Sequence, residues 1–254
     1  MPWNPEKYNQ FKDIRYQPFF DLMEMISGDT LKSAVDIGCG TGEQTSILSE
    51  RFSNAAFLGM DASAEMLARS EQYENERLNF KQSTIEAFAE SEPGWDLIFS
   101  NAALQWSDDH AVLFPKIISK LNAGGQFAVQ MPVQKENILN TLLLELVNEE
   151  PYKEYLKGFQ RVSPLLTIDE YAQIMFDAGL KQIQIIQKVY PIIADSPQQL
   201  FDFISGSALI PYLERLSGNE QEQFISAYKS SIKNTFAKFP AIYAFKRLLL
   251  YGRK

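Results

Sequence analysis

The sequence predicts an α/β protein on a mostly parallel sheet, and three observations carry that prediction. Short apolar runs alternate with helix-length amphipathic segments through the first half of the chain, which is the pattern of strands joined by crossover helices. A glycine-rich turn, Gly38-Cys39-Gly40-Thr41-Gly42, follows the first run and leads into the first amphipathic segment. An acidic residue, Asp61, closes the second run. Parallel strands need crossovers of about a dozen residues or more, and these spacings supply them.

Taken in order, a helical N-terminal segment precedes the first strand, Ser33–Ile37. Residues 43–52 then have helical spacing at Ile47, Leu48 and Phe52, and 55–60 reads as a second buried strand. Ser63 suits the N-cap of a helix through Met66 and Leu67, because its hydroxyl can accept an orphan helix amide. A short strand at 78–81 and another at 95–100, after the turn Pro93-Gly94, come next. Asp108 or Ser107 is expected to cap a helix running to Lys120, with 122–125 a turn before a fifth strand at 126–131. Beyond Pro132 the pattern becomes helical at 137–148, 151–159, 167–178, 197–203, 212–216 and 220–236, with strands at 182–189 and 243–251. This divides the chain into a core at 1–132 and a remainder at 133–254. In the remainder, insertions at 133–165 and 196–238 are expected to form a helical substrate lid.

Composition bounds the function. With 45% hydrophobic and 22% charged residues among 254, the chain can bury a core without disulfides or metal. Its formal net charge of −8 repels a polyanion, so no nucleic-acid partner is expected. The N-terminus shows no basic start followed by an apolar block, and no apolar run reaches the ~18–20 residues of a membrane span. A cytoplasmic protein with no membrane partner is expected; the oligomeric state stays open, and a monomer is compatible with the sequence.

The glycine turn narrows the ligand. Glycines let the backbone approach a ligand at the end of a first strand, but a dinucleotide fingerprint would need glycine at 43, where the chain has Glu43. A phosphate-binding loop would need Lys and Ser or Thr where Glu43 and Gln44 stand. Taken alone, the glycines also fit a plain tight turn. Together with Asp61, placed to accept hydrogen bonds from both ribose hydroxyls, they point to an adenosine-bearing ligand without phosphates.

The series Val35-Asp36-Ile37-Gly38-Cys39-Gly40-Thr41-Gly42, then Asp61, then Trp95-Asp96-Leu97-Ile98-Phe99-Ser100-Asn101 resembles the ordered motifs of class I methyltransferases. The resemblance implies a Rossmann-like methyltransferase fold of seven strands, the last antiparallel, with S-adenosylmethionine as cofactor. It implies that Asp36, Gly38 and Gly40 line the methionine portion and Asp61 the ribose. Ala62 and Met66 would flank the adenine, Thr84 and Ile85 its far edge, and Asn101 the methionine amino group. Many relatives carry an acid where this chain has Thr84.

A narrower resemblance, to trans-aconitate methyltransferases, rests on several further stretches. They are Trp3-Asn4-Pro5, Tyr8, Phe11, Arg15, Pro18, Asn101 to Trp106, Asp109-His110, Leu113-Phe114-Pro115 and Val129-Gln130-Met131-Pro132. It implies methyl transfer to a carboxylate of a small polycarboxylic acid. Such an ionised nucleophile needs positioning and charge balance, not a metal. Arginine suits carboxylates through its planar fork; Arg15, Arg161 and Arg247 are the candidates, with Arg15 also a candidate for the cofactor's own carboxylate. Tyr8, Gln105, Trp106 and Tyr190 are candidate walls of the acid site, or core aromatics where aromatic. His110 and Trp106 are positioning candidates, His110 being either a base or a packing residue, and no catalytic residue is certain. Where the family has a basic residue before Pro211, this chain has Ile210. Transfer to another acceptor, such as a carrier-bound malonyl group or a small natural product, and non-catalytic cofactor binding remain alternatives.

Overall fold

The computed structural model describes residues 12–254; the expectations placed on Trp3, Asn4, Pro5, Tyr8 and Phe11 fall outside the described residues. The elements run α1 (Lys12–Glu24), β1 (Ser33–Ile37), α2 (Glu43–Arg51), β2 (Ala56–Asp61), α3 (Ala64–Leu67), β3 (Leu78–Gln82), α4 (Ile85–Ala89), β4 (Trp95–Asn101), α5 (His110–Ser119) and β5 (Leu121–Pro132). They continue with α6 (Ile138–Val147), α7 (Tyr152–Tyr155), α8 (Ile168–Asp177), β6 (Lys181–Ala194), α9 (Pro197–Ser205), α10 (Ile210–Leu213), α11 (Gly218–Thr235) and β7 (Ala241–Arg253).

The strands form one seven-stranded sheet in the order β3-β2-β1-β4-β5-β7-β6. β1 to β5 pair in parallel and β7 runs antiparallel to β5, as the Rossmann-like methyltransferase fold requires. The chain winds outward from β1 through β2 to β3, then returns to β4 on β1's other edge. Strand order therefore reverses between β1 and β4, and open α/β sheets bind ligands at the carboxyl ends beside that reversal.

Several local expectations need correction. The helix expected to be capped by Asp108 or Ser107 starts at His110, and its N-cap is Asp109 at φ 51 with no side-chain capping bond. Asp tolerates this left-handed conformation better than most residues. The turn expected at 122–125 is part of β5; Gly124 N donates to Lys254 O at 2.7 Å and Lys254 N to Gly125 O at 2.8 Å, so the chain's end supplies the pairing a free turn would lack. The predicted helix at 151–159 shortens to α7, and α4 was not anticipated from periodicity because five residues hold too little of it. Among the described residues no helix is long and apolar enough to cross a membrane.

The described chain forms two compact units, one of residues 18–132, 164–188 and 247–254, the other of 12–17, 133–163 and 189–246. In the first, Phe19, Leu22 and Met23 of α1 share a core with Ala34, Leu97, Phe99 and Leu249 of the sheet. Phe19 meets Phe99 edge-on, centroids 5.8 Å apart, a favoured aromatic geometry. In the second, Leu139, Leu143 and Leu146 of α6 and Phe224, Tyr228 and Ile232 of α11 are buried together. Their three- and four-residue spacings put each set on one stripe of its helix. Tyr228 carries its hydroxyl into this core and satisfies it on Leu139 O at 2.7 Å.

One buried side chain ties the first unit's edges together. Gln126 of β5 accepts from Ser27 N at 2.8 Å and from the Tyr251 hydroxyl at 2.8 Å, and donates to Ser27 O at 2.7 Å. It thereby holds the loop after α1 and β7 to the strand between. Gln126→Leu leaves those partners without it, so urea unfolding should show a loss of about 2–4 kcal/mol, since stranded buried polar groups cost more than a hydrogen bond contributes.

Candidate active site

The carboxyl ends of β1, β2 and β4 assemble the site. Gly38 N and Cys39 N both donate to Met60 O, at 2.7 and 2.9 Å, which folds the turn after β1 onto the end of β2. A Cβ on Gly38 would lie 2.1 Å from the Ala103 Cβ, and one on Gly42 2.6 Å from the Phe80 ring; one on Gly40 would meet nothing within 4 Å. All three have positive φ, at 76°, 57° and 76°. The outer glycines are therefore required by packing, and the middle one presents bare backbone to open space. That is the cradle a ligand approaching the peptide plane needs.

Asp61 is aimed by its neighbours. Its Oδ2 accepts from Gly40 N at 2.9 Å and its Oδ1 from Ser63 N at 2.8 Å. An ionised carboxylate offers about four acceptor sites, so both oxygens keep capacity for a pair of hydroxyls. Ala62 is exposed with its carbonyl held by Gln82 Nε2 at 2.9 Å, and Met66 and Ile85 are half-buried. Thr84 caps α4, accepting from Ala87 N at 3.1 Å. Ser83 N donates to Asp61 O at 2.9 Å, which brings Thr84 and Ile85 to the same end of the sheet as Asp61.

Asp36 lies beneath the turn. It is 3% exposed, and the Thr45 hydroxyl donates to its Oδ2 at 2.6 Å. Burial pushes its pKa from 3.8 to about 7, the Thr45 bond opposes the rise, and the Asp61 charge adds to it. Burial, with Asp36 and Asp61 nearby, also pushes the Cys39 thiol well above its ordinary range, so Cys39 is a small turn residue rather than a nucleophile.

At the end of β4, Ser100 Oγ donates to Ile37 O at 2.8 Å, and Asn101 Nδ2 to Gln44 Oε1 at 2.9 Å. The chain then turns through Ala102 at φ 56°, whose amide donates to Gln130 O at 2.9 Å. Gln105 Nε2 donates to Ala102 O at 2.7 Å, so this candidate is held in shaping the turn, while Trp106 is 44% exposed. His110 is 1% exposed, with Nε2 3.0 Å from Leu104 O and Nδ1 2.5 Å from the Tyr171 hydroxyl. A carbonyl only accepts, so Nε2 carries the hydrogen and Nδ1 takes the tyrosine's. Nε2 thus ties the ring to the Leu104–Trp106 turn, and Nδ1 ties it to Tyr171 of α8.

Of the remaining candidates, Arg15, Arg161 and Tyr190 belong to the other unit and Arg247 to the unit of the glycine turn. Arg15 donates through Nη2 to Phe203 O and lies over the Phe203 ring, 4.7 Å from its centroid. Arg161 is half-buried, and its amide donates to the Tyr212 hydroxyl at 2.9 Å. Tyr190 belongs to the core of Leu139 and Phe224. Arg247 is 8% exposed on β7, in register with Pro132. Sequence reasoning missed Thr45 and Gln44, in the first turn of α2; no local signal marks them, because their partners come from β1 and β4. Among the described residues no group of three or more His, Cys, Asp or Glu is placed to hold a metal.

The family described as "Methyltransferase domain" matches residues 29–192. The trans-aconitate 2-methyltransferase of Deinococcus radiodurans is 38% identical, with 100% of this chain and 99% of the relative covered. Phosphoethanolamine N-methyltransferase 2 of Haemonchus contortus, solved with S-adenosyl-L-methionine, is 19% identical with a TM-score of 0.57, covering 94% of this chain and 52% of that one. The YcgJ protein of Bacillus subtilis has a TM-score of 0.63 at 17% identity, covering 94% of this chain and 98% of its own. These two solved structures share the fold.

The raised Asp36 pKa has a consequence for stability. A carboxyl whose folded pKa exceeds its unfolded value stabilises fully below the unfolded value and loses that contribution as pH rises through the folded one. For Asp36 that window runs from 3.8 to about 7. The melting temperature of wild type relative to Asp36→Asn should therefore fall between pH 5 and pH 8. Parallel profiles for the two proteins would show that Asp36 does not titrate there.

Proposed function

The chain belongs to the methyltransferase-domain family, and from that premise we propose that it transfers a methyl group from S-adenosylmethionine to a carboxylate of a small polycarboxylic acid, trans-aconitate. The full-length 38% identity to a trans-aconitate 2-methyltransferase carries this reading. The residues at the strand ends fit the cofactor. Gly40 offers open backbone, Asp61 two oriented acceptors, and neither Glu43 nor Gln44 favours a phosphate. In this reading Asp36 and Gly38 line the methionine end with Asn101, and Ala62, Met66, Thr84 and Ile85 border the adenine. When bound, S-adenosylmethionine supplies a sulfonium methyl, which an ionised carboxylate oxygen takes in an in-line displacement that leaves a neutral thioether and an ester.

No proton moves in that reaction, so no general base is needed, in keeping with the engagement of both His110 nitrogens. What the protein must supply is position and a dry environment. Opposite charges that combine to neutral products attract more strongly out of water. The Leu104–Trp106 turn, set by His110 and Gln105, is assigned to positioning the acid, and Arg247 to balancing its charge. The insertions at 133–165 and 196–238 are assigned to acid selection. A cytoplasmic location, and no nucleic-acid partner for a chain of net charge −8, belong to the same reading.

Mass spectrometry of reactions with trans-aconitate, cis-aconitate, citrate and isocitrate tests the proposal. A monomethyl ester formed selectively from trans-aconitate is expected; turnover of none of the four would sink it. Ile210, standing where the resembled family has a basic residue, makes a different acid preference the informative second outcome. Asp61→Ala should stay folded and bind S-adenosylmethionine roughly a hundredfold more weakly, as two hydrogen bonds to a charged acceptor imply. Calorimetry showing unchanged affinity would remove Asp61 from the site.

A further inference from the structure

Gln126 and Gln130 stand four residues apart on β5, so the pleat turns both side chains to one face of the sheet. Both are 0% exposed. Gln126 has partners on its oxygen and its nitrogen. Gln130 has none: its Oε1 and its Nε2 are both buried without a hydrogen bond. Asn101, its register partner on β4, likewise has a buried Oδ1 without a partner. A buried amide left unpaired lowers stability, and an apolar side chain of similar size would not. The neighbouring Ala128, Val129 and Met131 are apolar and buried, so a polar residue at 130 is unexplained by packing.

Its position indicates what it meets. In the strand order β1-β4-β5, Gln130 is two strands from the glycine turn, about 10 Å across the sheet, and so lies to one side of the cofactor's adenosine anchor. On the other neighbour, β7, Leu249 pairs with Gln130 and Arg247 with Pro132. Arg247 therefore shares the face of Gln130 one pleat further along, and it is 8% exposed. An amide donor beside a buried guanidinium is the composition of an anion subsite.

We propose that Gln130 is a specificity residue for the acid, its Nε2 donating to a carboxylate that is not the one methylated, with Arg247 supplying positive charge on the adjoining strand. This rests on the functional reading above, since it takes the acceptor to be a polycarboxylic acid. Because Gln130 is fully enclosed, its surroundings open to admit the acid, which is then held out of water. A contact to a non-reacting carboxylate acts on binding in the ground and transition states alike, so it shows in KM and hardly in kcat.

The test compares wild type with Gln130→Leu and Gln130→Met on whichever acid of the four the wild type methylates. Expected are a KM for the acid raised about tenfold, equivalent to about 1.4 kcal/mol, a kcat within about threefold, an unchanged Kd for S-adenosylhomocysteine, and a melting temperature equal to or above wild type. An unchanged KM in both variants overturns the inference. A lowered melting temperature with unchanged KM does so too, by showing that the amide serves the fold or a buried water. Weakened S-adenosylhomocysteine binding that accounts for the whole effect overturns it by assigning the amide to the cofactor's carboxylate. Wild-type protein that methylates none of the acids removes the functional reading, and this inference with it; wild-type turnover with an unaltered variant KM removes the inference alone.

Discussion

The contact on which the site depends is the attachment of the turn after β1 to the end of β2. Two successive amides, Gly38 and Cys39, share the Met60 carbonyl, and the next amide, Gly40, is taken by the Asp61 carboxylate. A backbone donor pulled in at each of three consecutive residues leaves the turn no freedom to relax outward. It also explains why glycine recurs there: at 38 and 42 neighbouring side chains occupy the space a Cβ would need, whereas at 40 the space is open. The carboxylate that orders the turn is also the one proposed to hold the ribose, so in that reading structure and binding draw on one side chain.

Around this point buried polar groups divide by what satisfies them. Gln126 and His110 have protein partners on every polar atom that matters to their placement, and both fix loops. Asp36 has one partner, and burial raises its pKa toward neutrality. A cationic cofactor in its vicinity would favour the ionised form, which makes this carboxyl sensitive to whether the turn is occupied. Gln130 and the Asn101 carbonyl have no partner, and they lie together at the ends of adjacent strands. These two groups lie near the carboxyl ends of parallel strands, where open α/β sheets place their ligands, whereas Gln126 and His110 tie loops to the fold.

Part of the candidate site was legible because its residues are close in sequence. Asp36, Gly38, Gly40 and Asp61 fall at the ends of consecutive strands, and strand ends can be found from apolar runs and turn residues alone. Thr84 was legible as a position but not as a role, since its capping of α4 depends on a helix too short to show periodicity. The arginines were less legible. A guanidinium's partner can come from anywhere in the chain, and Arg15 is engaged with the carbonyl of Phe203, 188 residues away. Its sequence neighbourhood holds no trace of that.

What the sequence by itself determined is the alternation of strands and helices, the parallel core, and a glycine turn after the first strand with an acid closing the second, because each follows from local periodicity or backbone freedom. Tertiary structure alone decided that Asp109 rather than Asp108 or Ser107 begins α5, that the chain's end pairs with Gly124 and Gly125, and that the His110 ring is bonded to both Tyr171 and Leu104. It alone separated Gln126 from Gln130, identical side chains on one strand and one face. The difference between them is only which distant groups arrive within hydrogen-bond reach, and that is set by strand order and loop closure, which no stretch of sequence contains.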